Sequence, residues 1–275
     1  MGTQKKSVMS RLAARFASLK TTGRKALVSY VMAGDPVPQV TVPLLHDLVA
    51  AGADVLELGL PFSDPMADGP AIALAAERAL AGGTNTLKVL DMVAEFRKSD
   101  RDTPIVLMGY LNPLEIIGYE NFAKRASQSG VDGLLLVDLP PEEAGELDVV
   151  LKQYELDPIF LLAPTSTDTR ITHVLKQARG FIYYVSLKGV TGSAALDTTE
   201  AAARIAKVKS QTSLPVGVGF GIRDAATAKQ MGQVADGVIV GTVLVQPFGE
   251  HSPETAHRMA VEKIKELRAA LDEIV

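Results

Sequence analysis

Residues 51–72 read AGADVLELGLPFSDPMADGPAI, and this stretch changes character halfway along. Asp54–Leu58 is short and mostly apolar, bounded by Gly52 and Gly59, which is the pattern of a buried strand. Glu57 sits inside it between Leu56 and Leu58. A carboxylate in an apolar strand loses hydration, so it needs a partner or a chemical task. The following PFSDPMADGP has Pro, Asp and Gly at turn-forming spacings and carries Asp64 and Asp68. An acid at a strand end and another on the loop above it can converge on one pocket. Spacing alone leaves a second reading open, in which Glu57 is a satisfied core carboxylate and the aspartates only form turns.

The same strand-then-helix alternation runs through the chain. Strands are expected at Ala26–Met32, Asp54–Leu58, Pro104–Met108, Gly133–Val137, Pro158–Leu162, Phe181–Val185, Pro215–Val218 and Gly237–Val240. Helices are expected at Val40–Ala51, Ala71–Leu80, Tyr119–Ser129, Pro141–Tyr154, Asp168–Gln177, Thr198–Ser210, Asp224–Met231 and Pro253–Ile274, with one more capped by Thr84 and running to Lys98. The loop after the third strand is Gly109-Tyr110-Leu111-Asn112-Pro113. Alternation with short Val, Ile and Leu runs implies parallel strands. Eight such units in a chain of 275 residues predict an α/β fold, a (β/α)8 TIM barrel. An open doubly wound sheet is the alternative, usually with fewer strands. AGADVLEL, SGVDGLLLVD and VADGVIV echo one another at three strand starts. No linker rich in Pro, Ser or charge appears, so residues 1–275 read as a single domain. Val8, Leu12, Ala13, Phe16 and Leu19 form an apolar stripe that predicts an extra N-terminal helix capping the barrel.

Hydrophobic residues make up 47% of the chain and aromatic ones 5%, with no Trp, which favours parallel α/β packing over a sandwich. A net charge of −4 offers no basic field for nucleic acid. No apolar run is long enough to span a membrane. The N-terminus lacks an apolar signal core, and its stripe leads straight into the first strand, which speaks against a transit peptide. With no Cys there are no disulfides or thiolate metal sites, a composition that fits a reducing, cytoplasmic setting.

Barrel chemistry sits at the C-terminal ends of the strands. Those ends offer Asp35, Glu57, Asp68, Tyr110, Asn112, Asp138, Thr165 and Tyr183 on one side, and glycine loops on the other. The glycine loops are GVTGSA (Gly189–Ala194), GFGI (Gly219–Ile222) and VGT (Val240–Thr242). Glycines let backbone N–H groups approach an anion, and a following helix adds its positive end. Loops after strands seven and eight are the usual phosphate site of this fold, although tight turns also need Gly. GVGFG lacks the spacing of a dinucleotide fingerprint. His46, His173, His251 and His257 fall on or beside helices, away from the strand exits, so no metal site is expected. Lys188 is a formal Schiff-base candidate, but a lysine in a glycine-rich loop is expected to be solvated.

LELGLPFSDPMADGP, SYVMAGDP, MGYLNP, YYVSLKGVTG, GVGFGI and VGT together are similar to the α subunit of tryptophan synthase, along essentially the whole chain. That resemblance implies retro-aldol cleavage of indole-3-glycerol phosphate to indole and glyceraldehyde 3-phosphate. It implies no cofactor in this chain, and a β subunit carrying pyridoxal phosphate (PLP) as partner in an αββα heterotetramer. Glu57 would act as acid and then base, with its pKa raised by its apolar strand. Asp68 would accept the indole N–H, and Tyr183 would stand beside Glu57 and the substrate. Tyr30, Met108 and Tyr110 would wall the indole. Gly192, Gly221, Gly241 and Thr242 would bind phosphate, with Phe220 also at the substrate. Ser186–Ala195 would form a lid, with Thr191 bonding Asp68 on closure. Two departures stand out: Leu187 followed by Lys188 where the family lid often has Arg, and Thr242 where Ser is common. The β partner would dock around Pro61–Asp68 and Asn112–Leu114, with Pro140 and Pro141 nearby. A stand-alone lyase and a non-catalytic activator of the β subunit are the alternatives.

Overall fold

A computed structural model describes residues 9–185, 198–219 and 221–274. Eight parallel strands close into a barrel in sequence order: β1 (Ala26–Met32), β2 (Val55–Gly59), β3 (Ile105–Gly109), β4 (Gly133–Leu136), β5 (Asp157–Leu162), β6 (Ile182–Val185), β7 (Val216–Gly219) and β8 (Gly237–Val240). Pairing of β1 with β8 completes the ring, with Ala26 opposite Gly237. Around them lie α1 (Arg11–Thr21), α2 (Pro38–Ala50), α3 (Pro70–Ala81), α4 (Thr86–Phe96), α5 (Leu111–Ile117), α6 (Tyr119–Ser129) and α7 (Gly145–Gln153). They continue with α8 (Asp168–Gln177), α9 (Thr198–Lys209), α10 (Ala225–Val234), α11 (Thr242–Val245), α12 (Pro247–Glu250) and α13 (Pro253–Asp272).

Side chains alternate across each strand, so one strand feeds two cores. From β2, Leu56 and Leu58 point outward into the layer between sheet and helices. Val55 points inward with Ala26, Val28, Val106, Leu135, Ile159, Phe181 and Ile239. The stripe of α1 closes this inner core at the end where the strands begin. Leu12, Phe16 and Leu19 are buried there, and the Phe16 ring lies 5.6 Å from that of Phe181. Val8 lies outside the described residues. With the lower end plugged, the open end of the barrel is the one where the strands finish.

The three echoing segments have a shared structural cause. Asp54, Asp132 and Asp236 each precede a strand and bond to the start of the strand before it. Their carboxylates accept from the amides of Leu27 at 3.0 Å, Ile105 at 2.8 Å and Val216 at 2.9 Å. Their own amides donate back to the carbonyls of Leu27, Ile105 and Val216. Each carboxylate also takes a cation, Arg268 at 3.0 Å, Arg97 at 2.8 Å and Lys209 at 2.7 Å respectively.

Several boundaries differ from the sequence expectation. Residues 111–117, expected as loop at their start, form α5, because Pro113 falls in the first turn where no intrahelical N–H is needed. The short α11 and α12 carry too few residues to show a period. Asn85, rather than Thr84, caps α4 by accepting from the Lys88 amide at 3.1 Å. Turns occupy Pro141–Ala144, so α7 starts at Gly145.

Asp132 bridges Arg11, Arg97 and the Ile105 amide while almost wholly buried. Asp132→Ala removes the carboxylate that Arg11 and Arg97 share and leaves the buried Ile105 amide without its side-chain acceptor, and should destabilise the fold by about 2–3 kcal/mol. Urea unfolding measures this, and a loss under about 1 kcal/mol would show that the node is dispensable.

Candidate active site

Tyr30 of β1 and Glu57 of β2 are partners in the parallel register, and both face the interior above the plugged core. With Asp68, Met108 and Tyr183 they line a cavity of about 430 Å³ at the C-terminal ends of the strands. Gly221, Gly241 and Thr242 line the same cavity, Gly241 directly beside Tyr30. Thus eight residues singled out from sequence meet in one place. Thr191, Gly192 and Phe220, with Leu187 and Lys188, lie outside the described residues.

Glu57 is 1% exposed, and neither carboxyl oxygen meets a hydrogen-bond partner among the described residues. Burial alone pushes its pKa up to about 8. Burial also raises Asp68, to about 6, while a hydrogen bond from the Tyr110 hydroxyl pulls it back down. Burial, with the nearby negative charge of Glu57, lifts Tyr183 well above its ordinary value. Tyr30 is lifted by burial and then by Asp68 and Glu57. At neutral pH the site therefore holds a protonated Glu57, an ionised Asp68 and two neutral phenols.

Two strand glycines make room for those phenols. A Cβ at Gly59 would meet the Tyr30 hydroxyl at 2.4 Å, and one at Gly219 would meet the Tyr183 hydroxyl at 2.5 Å. Gly221 has φ +63°, a conformation that only glycine adopts cheaply, in open space. Gly241 leads into α11, where the first amides lack intrahelical acceptors and face an anion well.

Tyr110 is not among the lining residues, contrary to its expected place as a wall. Its ring lies 5.3 Å from Phe62, and its hydroxyl accepts from the Ala67 amide at 3.0 Å. Its hydroxyl also bonds Asp68, so it braces the acid loop at the site. Sequence reading also missed Ile72, Arg223 and Gln246 in the lining. Arg223 stands two residues beyond Gly221 and brings a cation to the glycine side, a signal that GFGIR did contain. Nothing in the sequence marks Gln246. Among the described residues, no group of three or more His, Asp and Glu could hold a metal ion. A second cavity of about 370 Å³ lies at the plugged end; its one carboxylate, Asp236, is already paired with Lys209.

A buried Glu57 and a half-buried Asp68 sharing one barrel mouth with Gly221, Gly241 and Thr242 suit a phosphorylated substrate needing proton transfer. The family model described as "Tryptophan synthase alpha chain" matches residues 16–274. The chain belongs to the tryptophan synthase alpha chain family. It is 70% identical over 267 residues to the tryptophan synthase alpha chain of Acinetobacter baumannii, covering 97% of this chain and all of that one. Identity to the Acinetobacter baylyi alpha chain is 72% over the same length. The alpha subunit from Legionella pneumophila superposes with a TM-score of 0.91 at 44% identity, covering 97% of this chain and 100% of that one. Tryptophan synthase from Mycobacterium tuberculosis gives a TM-score of 0.85 at 36% identity, covering 95% of this chain and 98% of that one. Alpha chains of tryptophan synthase are lyases, and this chain is such an enzyme. No helix among the described residues is long and apolar enough to cross a membrane.

Burial of Glu57 has a thermodynamic signature. Its folded pKa of about 8 lies above the unfolded value of 4.5, so the native state keeps a proton the unfolded chain releases. Stability conferred below pH 4.5 is therefore lost progressively up to about pH 8. Glu57→Gln removes that loss. The variant should gain stability relative to the parent between pH 5 and 9, on the order of a few kcal/mol, in urea unfolding. Parallel pH curves for the two proteins would mean that Glu57 is solvated.

Proposed function

We propose that Glu57, Asp68 and Tyr183 carry the lyase reaction in this chain, the cleavage of indole-3-glycerol phosphate to indole and glyceraldehyde 3-phosphate. The observation that carries this assignment is a buried carboxyl, without a hydrogen-bond partner among the described residues, lining the same cavity as Gly221, Gly241 and Thr242. Breaking the bond from indole C3 to the side chain requires a proton on C3, because an aryl carbanion is a poor leaving group. The protonated Glu57 supplies it. Positive charge then develops at the indole nitrogen, and Asp68, accepting the N–H, stabilises it. The Glu57 carboxylate next takes the proton from the side-chain hydroxyl. The C–C bond breaks, its electrons restore the indole ring, and the aldehyde forms. Glu57 ends protonated, ready for another cycle, and such transfers contribute about 10²–10⁴-fold.

Tyr183, held against Gly219, borders Glu57 and limits where the substrate can sit. Gly221, Gly241 and Thr242, with Gly192 and Phe220, would hold the phosphate end, and Arg223 adds a positive charge beside it. Tyr30 and Met108 supply the walls for the ring. Thr191, in the 186–195 segment, would close over Asp68. This chain then needs no cofactor of its own, and the beta subunit supplies the PLP that consumes indole in an αββα assembly. The beta subunit would dock on the acid loop and α5. Met66 and Ile116, on those two elements, are 87% and 80% exposed, unusual for large apolar side chains. One domain spanning residues 1–275, acting in the cytoplasm, completes the proposal.

Indole release from indole-3-glycerol phosphate tests the assignment. kcat/KM should follow a bell in pH, rising as Asp68 ionises near pH 6 and falling as Glu57 ionises near pH 8. Glu57→Gln should lose more than about 100-fold in turnover yet keep its affinity for inorganic phosphate. Turnover above about one-hundredth of the parent's would contradict the acid/base role. Adding beta subunit should raise the rate; full activity without it would favour a stand-alone lyase.

A further inference from the structure

Asp68 sits on a loop, yet its work requires a fixed position over the substrate. Two anchors flank it. On the N-terminal side the Ala67 amide is tied to the Tyr110 hydroxyl at 3.0 Å. On the C-terminal side the loop runs through Gly69 directly into α3 at Pro70. The place of Asp68 therefore follows wherever α3 lies along its axis.

α3 lies on a smooth surface. Its buried side is Ala75, Ala76 and Ala79, packed against Tyr30, Met32 and Val245. Alanine methyl groups do not interdigitate as larger side chains do, so this contact resists separation better than sliding. The directional contact is at Arg78, two turns from the loop. Its Nε and one terminal nitrogen donate to the two oxygens of Asp35 at 2.6 and 2.8 Å, in a paired fork. Asp35 is 4% exposed and sits in the turn after β1, whose Gly34 amide donates to Thr41 at 2.8 Å. The same guanidinium lies against α12, where a Cβ at Gly249 would come within 3.0 Å of it. One side chain thus ties α3 to the β1 exit and lies close beside α12.

We propose that the Arg78–Asp35 fork is a positioning contact for catalysis, setting the axial register of α3 and thereby the place of Asp68. The inference rests on the role given to Asp68 above. The fork fixes direction as well as distance: two parallel bonds from the half-buried Arg78 meet a carboxylate only 4% exposed, so α3 cannot slide without breaking both.

The test uses the full chain with indole-3-glycerol phosphate. Its variants are Arg78→Lys and the double variant Asp35→Asn with Arg78→Gln. Lysine keeps the charge beside Asp35 but cannot form the fork; the double variant leaves no buried charge unpaired. Both should fold, with kcat lowered about tenfold or more, KM nearly unchanged, and the Ala67 amide resonance displaced. A lowered melting temperature with parental kcat and an unmoved Ala67 resonance would make the fork a stability contact and overturn the inference. If the double variant does not fold, the lysine variant decides alone by the same readings. A parent chain that releases no indole would count against the proposed function, while the Ala67 resonance would still report the register.

Discussion

An ionised carboxylate in an apolar strand has lost its water, and around Glu57 no group among the described residues takes the place of that water. Every other carboxylate buried to a similar depth is answered: Asp54 by Arg268 and an amide, Asp132 by Arg97 and an amide, Asp35 by Arg78. Glu57 alone among these is left to burial, which holds it protonated at neutral pH. A carboxylic acid that remains an acid near pH 7 can protonate carbon, and one already poised near 8 can take a proton back. In the proposed function, the stability forgone by burying Glu57 is what gives it an acid's reactivity near neutral pH.

The surrounding structure serves that one group. The stripe of α1 fills the lower barrel, so the inward face of β2 opens on a cavity only toward the strand ends. Gly59 and Gly219 remove side chains where the Tyr30 and Tyr183 hydroxyls must lie. Tyr110 and Arg78 restrain the acid loop from its two ends, one through the Ala67 amide and the other through α3. In the proposed function the phosphate is held by the loops after β7 and β8, whose Gly221, Gly241 and Thr242 line the same cavity as Glu57.

The barrel was legible because its signals are short-range. Strand runs, helix stops and the aspartate before β2, β4 and β8 repeat often enough to count the units, and the hydrogen bonds of Asp54, Asp132 and Asp236 explain why the echo exists. Glu57 stood out for the same reason, as a charge among apolar neighbours. The helices α5, α11 and α12 did not, because four to seven residues carry too little period and Pro113 or Gly241 reads as a loop. Tyr110, expected as a wall, instead meets Phe62, the Ala67 amide and Asp68, since direction beyond a strand end depends on packing that no local pattern encodes. The roles of Gly59 and Gly219 depend on long-range contact with tyrosines, which no local pattern encodes.

The titration of Glu57 itself tests the account most directly. With the side-chain carboxyl carbon of glutamate labelled with ¹³C, and Glu57→Gln used to assign the resonance, the shift is followed from acid to alkaline pH. A midpoint near 8 is the result expected for an unpartnered buried acid. A midpoint near the ordinary 4.5 would mean that water or a cation reaches Glu57, and the acid/base assignment would fall with it.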